Sequence, residues 1–431
     1  MIRGALRRLR DGVTRLGSLI RDGGGSLPAI RVVLATLAGA TLRRLGRAIP
    51  GPDAPVRMRI GVDVRPFYEP LTGVGWYLYE ILGELAGRED VDLVLFGDAL
   101  EVDGGPALHT NLPRKLAVTN FPLQGLAVPP LARSFARAVY PALIWLEKCD
   151  LIFGANYFLP RPMSAAATRR VVTVHDFTFR RYPQMLQAET LENLNREMKR
   201  EIARADAVIC VSEATRLDLI ELYPIDPSRA VTILSGLRQP LGAGEPVDGL
   251  PERYILFVST IEPRKNLEAL LAAFESLLDQ GRYDGDLVVV GRVGWKSEAI
   301  VSRMASSRWR RRIHHLDYLI RSQLAHIYEH AGIFVLPSHY EGFGFPLLEA
   351  MSCGVPSIAA RTSSLPEVGG DGALYFDPNR PDELASILVT LVEDEVLRRE
   401  MSERARRRAA EFRWERSAEQ TLTVFRKAIG R

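Results

Sequence analysis

The chain has 431 residues, 47% apolar and 25% charged, which is enough for two ordinary domains and is the composition of folded rather than disordered protein. Its formal net charge is +4, yet residues 1–57 alone hold 11 Arg against 3 Asp. The positive excess is therefore local, and the body of the chain carries no nucleic-acid footprint.

The first pattern is basic. Ile2, Leu6, Leu9, Val13, Leu16 and Ile20 recur at steps of three and four among six arginines, the spacing of a basic amphipathic helix over 2–21. Two readings stand for it: a membrane-surface contact, or an extension without function. Pro50-Gly51-Pro52 then breaks the chain, so the compact part is expected to begin near Met58. Strands are predicted over 59–64, 91–96, 171–174 and 207–211, with helices over 75–86 and 190–204. A Gly- and Pro-rich stretch, 235–251, reads as a linker. Beyond it the alternation restarts, with strands at 254–258, 287–290 and 333–336 and helices at 266–279 and 321–331; residues 381–427 read as charged helices. Alternating short apolar strands and helices imply parallel sheets wrapped by helices. Two such α/β domains leave a cleft, and ligands bind at the carboxyl ends of the strands.

Cys149, Cys210 and Cys353 show no C-x-x-C spacing, which excludes a disulfide framework or a cysteine zinc site. No apolar run approaches the roughly 18 residues that would cross a bilayer. A cytoplasmic protein, peripheral at the membrane if 2–21 binds lipid, is the expectation.

The stretch Pro337 to Met351, PSHYEGFGFPLLEAM, follows a buried strand and enters a helix. Pro346 suits a helix start, so Gly342, Phe343, Gly344 and Phe345 form a loop whose N–H groups point along the helix axis, a terminus that binds anions or hydroxyls. Glu341 and Glu349 flank these donors. A favourable helix-dipole position accounts for Glu349 alone but not for the Gly-Phe-Gly-Phe insert. Arg264 and Lys265 stand between a strand and a helix, where they read either as partners of a departing diphosphate or as solvated surface. Gly73 and Gly75 resemble part of a dinucleotide loop, but Leu78 occupies its third glycine position; phosphate contact and tight packing remain equally open. His175 closes a buried strand, as a cleft residue or as a satisfied core histidine. His314-His315 has no third ligand nearby and reads as structural.

Together, Glu341 and Glu349 in an E-x7-E frame, Arg264-Lys265-Asn266, Val290-Gly-Arg292, Ser364-Leu-Pro-Glu-Val368 and Phe412-Arg-Trp-Glu415 resemble retaining glycosyltransferases of family four. The resemblance, over roughly 58–427, implies a GT-B fold: two Rossmann-like domains facing across a cleft. Residues 58–240 would form the acceptor domain and 241–410 the donor domain. Residues 411–431 would return to the first domain, and 1–57 would be the basic extension. It further implies that Arg264 and Lys265 hold the diphosphate and that Glu349 accepts from the ribose. Glu341 and the loop 342–345 would hold the sugar hydroxyls, His175 would reach the sugar from the opposite domain, and Gly73 and Gly75 would lie near the phosphates. No metal or other cofactor is implied. Asp317 stands where many members carry glycine before the base-contacting turn, which leaves the base open.

The expected partners are a nucleotide-sugar donor and a glycan or lipid-linked acceptor, with mannose from GDP-mannose the favoured donor; no nucleic acid is expected. No carboxylate is placed to attack the anomeric carbon, so retention would follow from front-face attack. A nucleotide-sugar epimerase of the same build and a catalytically silent binding scaffold are the competing readings, with an NAD enzyme further off.

Overall fold

The computed structural model describes residues 57–67, 73–96, 101–102, 105–106, 144–159, 163–164, 168–185, 188–237 and 244–431. The basic segment 2–21, the rest of the extension to residue 56 and the middle of the 235–251 stretch lie outside the described residues.

The first sheet contains β1 (Met58–Asp63), β2 (Val91–Phe96), β3 (Leu151–Gly154), β4 (Arg170–Val174), β5 (Ala207–Cys210) and β6 (Ala230–Thr232), in the order β2-β1-β3-β4-β5-β6. Its helices are α1 (Gly73–Leu85), α2 (Ala188–Arg204) and α3 (Glu213–Leu222). β1 and β3 are buried along their whole length. Strands covered on both faces read as continuous apolar runs rather than as alternation.

The second sheet contains β7 (Tyr254–Val258), β8 (Asp286–Val290), β9 (Ile313–Leu316), β10 (Ile333–Leu336), β11 (Ser357–Ala360) and β12 (Ala373–Phe376), in the order β9-β8-β7-β10-β11-β12. Every pairing is parallel. Around it run α4 (Leu267–Asp279), α5 (Glu298–Ser306), α6 (Arg321–His330), α7 (Phe345–Ser352), α8 (Leu365–Gly369), α9 (Pro381–Glu393) and α10 (Glu395–Ala409), and α11 (Trp414–Ala428) follows. Counted within the sheet this is the doubly wound order 3-2-1-4-5-6, whose switch point falls between β7 and β10.

The described residues form two compact units, those within 57–173, 197–209 and 420–431 in one and those within 174–196 and 210–419 in the other. In the first, the end of α11 is held by Phe425 against Phe153, with ring centroids 5.1 Å apart, and by Arg426 to Asp90 at 2.6 Å. The second unit holds the whole second sheet. Within it, the described ends of the 235–251 stretch are tied down: Leu237 N–H donates to the Phe412 carbonyl and Glu245 N–H to that of Ser322, both in the range of good hydrogen bonds. No helix among the described residues is long and apolar enough to cross a membrane.

Candidate functional site

The switch point of the second sheet gathers the charged residues. β7 ends at Val258, and the chain turns through a short 3-10 segment, Pro263–Lys265, into Asn266, which takes the left-handed conformation at φ 54°. Asparagine tolerates that region better than most residues. Its side-chain amide donates to the carbonyls of Pro337 (3.1 Å) and Pro378 (3.0 Å), which ties the ends of β7 and β10 together. His339 N–H donates to the Arg264 carbonyl at 2.9 Å. The Arg-Lys-Asn run is thus two cations held in place by the third residue.

Glu341, only 8% exposed, accepts from Lys265 Nζ at 2.6 Å and Ser338 Oγ at 2.7 Å on Oε1, with Arg264 Nη1 3.4 Å from Oε2. Arg264 also donates to the Tyr340 carbonyl (2.7 Å) and to Glu262 (2.5 Å). Burial pushes the Glu341 carboxyl up, but the Lys265 ammonium and Arg264 guanidinium outweigh it and hold it below the ordinary carboxylate value. Burial likewise lowers the Lys265 ammonium, against the pull of Glu341. For Arg264, Glu341, Glu262 and Asp176 overcome burial and keep the guanidinium charged. Two cations meet one buried carboxylate, and both keep N–H groups without an acceptor among the described residues.

The next residues form the α7 terminus. Gly344 caps it at φ 103°, Phe345 is its first residue and Pro346 its second, so the helix begins one residue before the position read from Pro346. Among the described residues, none accepts from the N–H groups of Gly342, Phe343, Gly344 or Phe345. The α3 terminus differs: the N–H groups of Glu213 and Ala214 donate to the Glu367 carboxylate at 2.8–3.4 Å. One helix start is closed by the protein's own anion, and the other is left for a ligand.

The two glycines of the loop serve different needs. Gly344 supplies the positive φ. Gly342 supplies room: a Cβ there would stand 1.8 Å from the His175 carbonyl oxygen. Its nearest neighbour in space is therefore the backbone of His175, where a ligand was expected from the sequence. Phe343 is buried against Phe345 and Phe412, and Phe345 stacks on Trp414, so these rings anchor the loop. Ser364 Oγ donates to the carbonyls of Glu341 and Phe343, both at 2.9 Å, and Ser363 Oγ accepts from Glu341 N–H at 2.8 Å.

Glu349 lies in the second turn of α7 and accepts from Tyr328 O–H on α6 at 3.0 Å. Burial first, then the neighbouring Glu349 carboxylate, raise the Tyr328 phenol well above its usual range, so it remains a donor. His175, half-buried at the carboxyl end of β4, belongs to the same unit, and its carbonyl lies 3.5 Å from Thr215 Oγ1. Gly73 and Gly75 stand in the first turn of α1, in the first unit, and are not among the residues the second unit brings together. His314 Nε2 pairs with Asp286 at 2.5 Å and His315 Nε2 with the Gly291 carbonyl at 2.9 Å, both sheet-edge contacts. Ser338, Tyr340 and Ser363, not singled out from the sequence, prove to hold the site, as does Glu367 of the Ser364–Val368 motif, to which no role was given; for the first three, a hydroxyl within three residues of a motif residue is the only signal they offered.

Residues 247–408 match the family described as glycosyl transferases group 1, and residues 71–238 match glycosyltransferase family 4. The chain is 31% identical over 386 residues to the O-antigen chain mannosyltransferase B of Escherichia coli, a span covering 86% of this chain and 100% of that protein. Among solved structures it resembles sucrose-phosphate synthase from Thermosynechococcus elongatus, with TM-score 0.64, 21% identity, and 87% and 100% of the two chains covered. It also resembles Anabaena HepE in complex with UDP-glucose, with TM-score 0.62, 20% identity, and 85% and 100% covered. With an intact buried charge cluster at the switch point of a GT-B fold, the chain belongs to glycosyltransferase family 4 and is a glycosyltransferase.

Proposed function

We propose that this enzyme moves mannose from GDP-mannose, with retention at the anomeric carbon, to a glycan or lipid-linked acceptor of a cell-surface polysaccharide. The observation that carries the reading is the pair of cations, half-buried Arg264 and buried Lys265, beside an α7 terminus whose N–H groups are open. A diphosphate leaves as a polyanion, and donors fixed where that charge develops stabilise the transition state without reorganising. The similarity to a mannosyltransferase along that protein's full length supports the sugar.

In this mechanism the bond from the anomeric carbon to the β-phosphate oxygen breaks as the acceptor oxygen bonds on the same face. The acceptor proton passes to the departing phosphate oxygen. Arg264, Lys265 and the α7 N–H groups hold the GDP, Glu349 accepts from the ribose, and Glu341 with the loop 342–345 holds the sugar. His175 reaches the sugar from the end of β4. No metal takes part. Incubating enzyme, GDP-mannose and acceptor with EDTA, and following GDP release and the product's anomeric proton, is expected to give undiminished turnover and the donor's configuration. An inverted product, or dependence on added metal, would defeat the proposal.

Guanine is favoured by Asp317 and Tyr318, which follow β9. Tyr318 is 63% exposed, with the Arg292 guanidinium 4.7 Å from its ring centre, and Asp317 is exposed with no partner among the described residues. A carboxylate can accept both N1–H and N2–H of guanine, whereas uracil offers one N–H between two carbonyls. A bidentate pairing discriminates between bases by about 1–3 kcal/mol. Asp317→Ala is therefore expected to weaken GDP roughly tenfold in calorimetric titration and leave UDP unchanged; equal losses for both would remove Asp317 from base selection.

A further inference from the structure

Tyr340 stands immediately before Glu341 and is 6% exposed. Its O–H donates to Asp218 Oδ2 at 2.5 Å, and its oxygen accepts from Phe177 N–H at 3.0 Å. A buried phenol with both functions engaged is more than packing, because phenylalanine would fill the same space. Burial, and next the bond to Asp218, push its pKa up, so it stays protonated.

The acceptor is itself fixed. Asp218, on α3, has its other oxygen bound by Arg181 Nε at 2.8 Å and by Arg181 Nη2, and Arg181 reaches on to Glu221 at 2.9 Å. Two further ties run alongside. Tyr182 O–H donates to the His339 carbonyl at 3.2 Å, and Thr215 Oγ1 lies 3.4 Å from the Gly342 carbonyl and 3.5 Å from that of His175. Side chains of α3 and of the segment after β4 thereby join residues 175–182 to residues 339–342. None of these ties involves Arg264, Lys265, Glu349 or the α7 N–H groups, which hold the GDP in the reading above; the Thr215 tie alone ends on the loop that holds the sugar, at the Gly342 carbonyl.

We propose that Tyr340, through Asp218, is a positioning residue that sets His175 against the open α7 terminus. It acts on the rate of transfer rather than on donor affinity, and it rests on the mannosyl-transfer reading for its kinetic test. A displacement of about 1 Å at a reacting centre can cost on the order of a hundredfold in rate.

Tyr340→Phe removes both hydrogen bonds and keeps the ring. The expected result is a kcat lower by about ten- to a hundredfold, with the KM for GDP-mannose and the Kd for GDP within roughly twofold of the wild type. In amide hydrogen exchange, the Phe177 N–H loses its acceptor and is expected to exchange about tenfold faster or more. Thr215→Val, which removes the parallel tie without touching the phenol, is expected to give the same split at a smaller size and serves where Tyr340→Phe does not fold. The proposal is overturned by a kcat within twofold of wild type in the folded variants, by a kcat loss matched by a rise in KM, or by unchanged Phe177 exchange in Tyr340→Phe. Wild-type enzyme inert on GDP-mannose counts against the mannosyl-transfer reading alone, and the exchange measurement then decides the role of Tyr340.

Discussion

Lys265→Met is expected to abolish transfer and to destabilise the protein, by about 3–5 kcal/mol, because Glu341 would remain a buried carboxylate without its nearest cation. The Lys265 Nζ to Glu341 Oε1 distance is 2.6 Å, and both side chains are about nine-tenths buried. The penalty should depend on pH in a definite sense. Glu341 titrates below its ordinary 4.5 in the folded enzyme, so its paired form contributes stability above that value, and the contribution is lost as pH falls through the folded value. Without Lys265 the carboxyl titrates higher, and the gap between variant and wild type narrows on acidification. The double variant Lys265→Met/Glu341→Gln removes both charges and is expected to regain most of the stability while staying inactive, as with other buried ion pairs replaced together. Thermal denaturation from pH 4 to 8 beside initial transfer rates separates the two roles. A stable and active Lys265→Met would remove this residue from leaving-group stabilisation.

Gly342→Ala should be nearly as damaging, for a steric reason. The position has no positive φ, so alanine is conformationally allowed, yet its Cβ would lie 1.8 Å from the His175 carbonyl oxygen and 2.9 Å from Asp176 Cβ. Backbone on one side and the α7 terminus on the other must separate to admit it. Overpacking costs typically about 1–3 kcal/mol and sometimes more, and the shift falls between His175 and the loop proposed to hold the donor sugar, where about 1 Å is worth on the order of a hundredfold in rate. Gly87→Ala is the matched control, since its added Cβ meets nothing within 4 Å. Steady-state rates and melting temperatures of the two variants test the assignment: wild-type rates in Gly342→Ala would show that the loop and His175 need not be so close.

Much of the second sheet was legible residue by residue. The strands at 254–258 and 333–336 appear with the bounds read from their apolar runs, because strands buried on both faces leave uninterrupted Val, Ile, Leu and Phe. The first sheet was harder. β3 is Leu-Ile-Phe-Gly, four residues that periodicity cannot separate from a buried helical segment. α3 escaped because it buries Thr215 and Asp218 beside Leu219, so its inner face carries no apolar stripe; those polar residues are there to bond Ser212, Tyr340 and Arg181.

The sequence by itself determined the class of fold, the family and the position of the charged motifs between strand and helix, since each depends on contacts a few residues apart. It named Glu341, Arg264 and Lys265 without showing that they are one cluster. The tertiary structure alone decided that Glu341 is held, through Oε1, chiefly by Lys265 and Ser338, that Gly342 is small for the sake of His175, that Glu367 closes α3 while α7 stays open, and that Tyr340 ties the two segments together. Apart from Ser338, three residues before Glu341, these pairings join residues from 76 to more than 150 positions apart, and periodicity carries no record of which distant groups a folded sheet brings within hydrogen-bond reach.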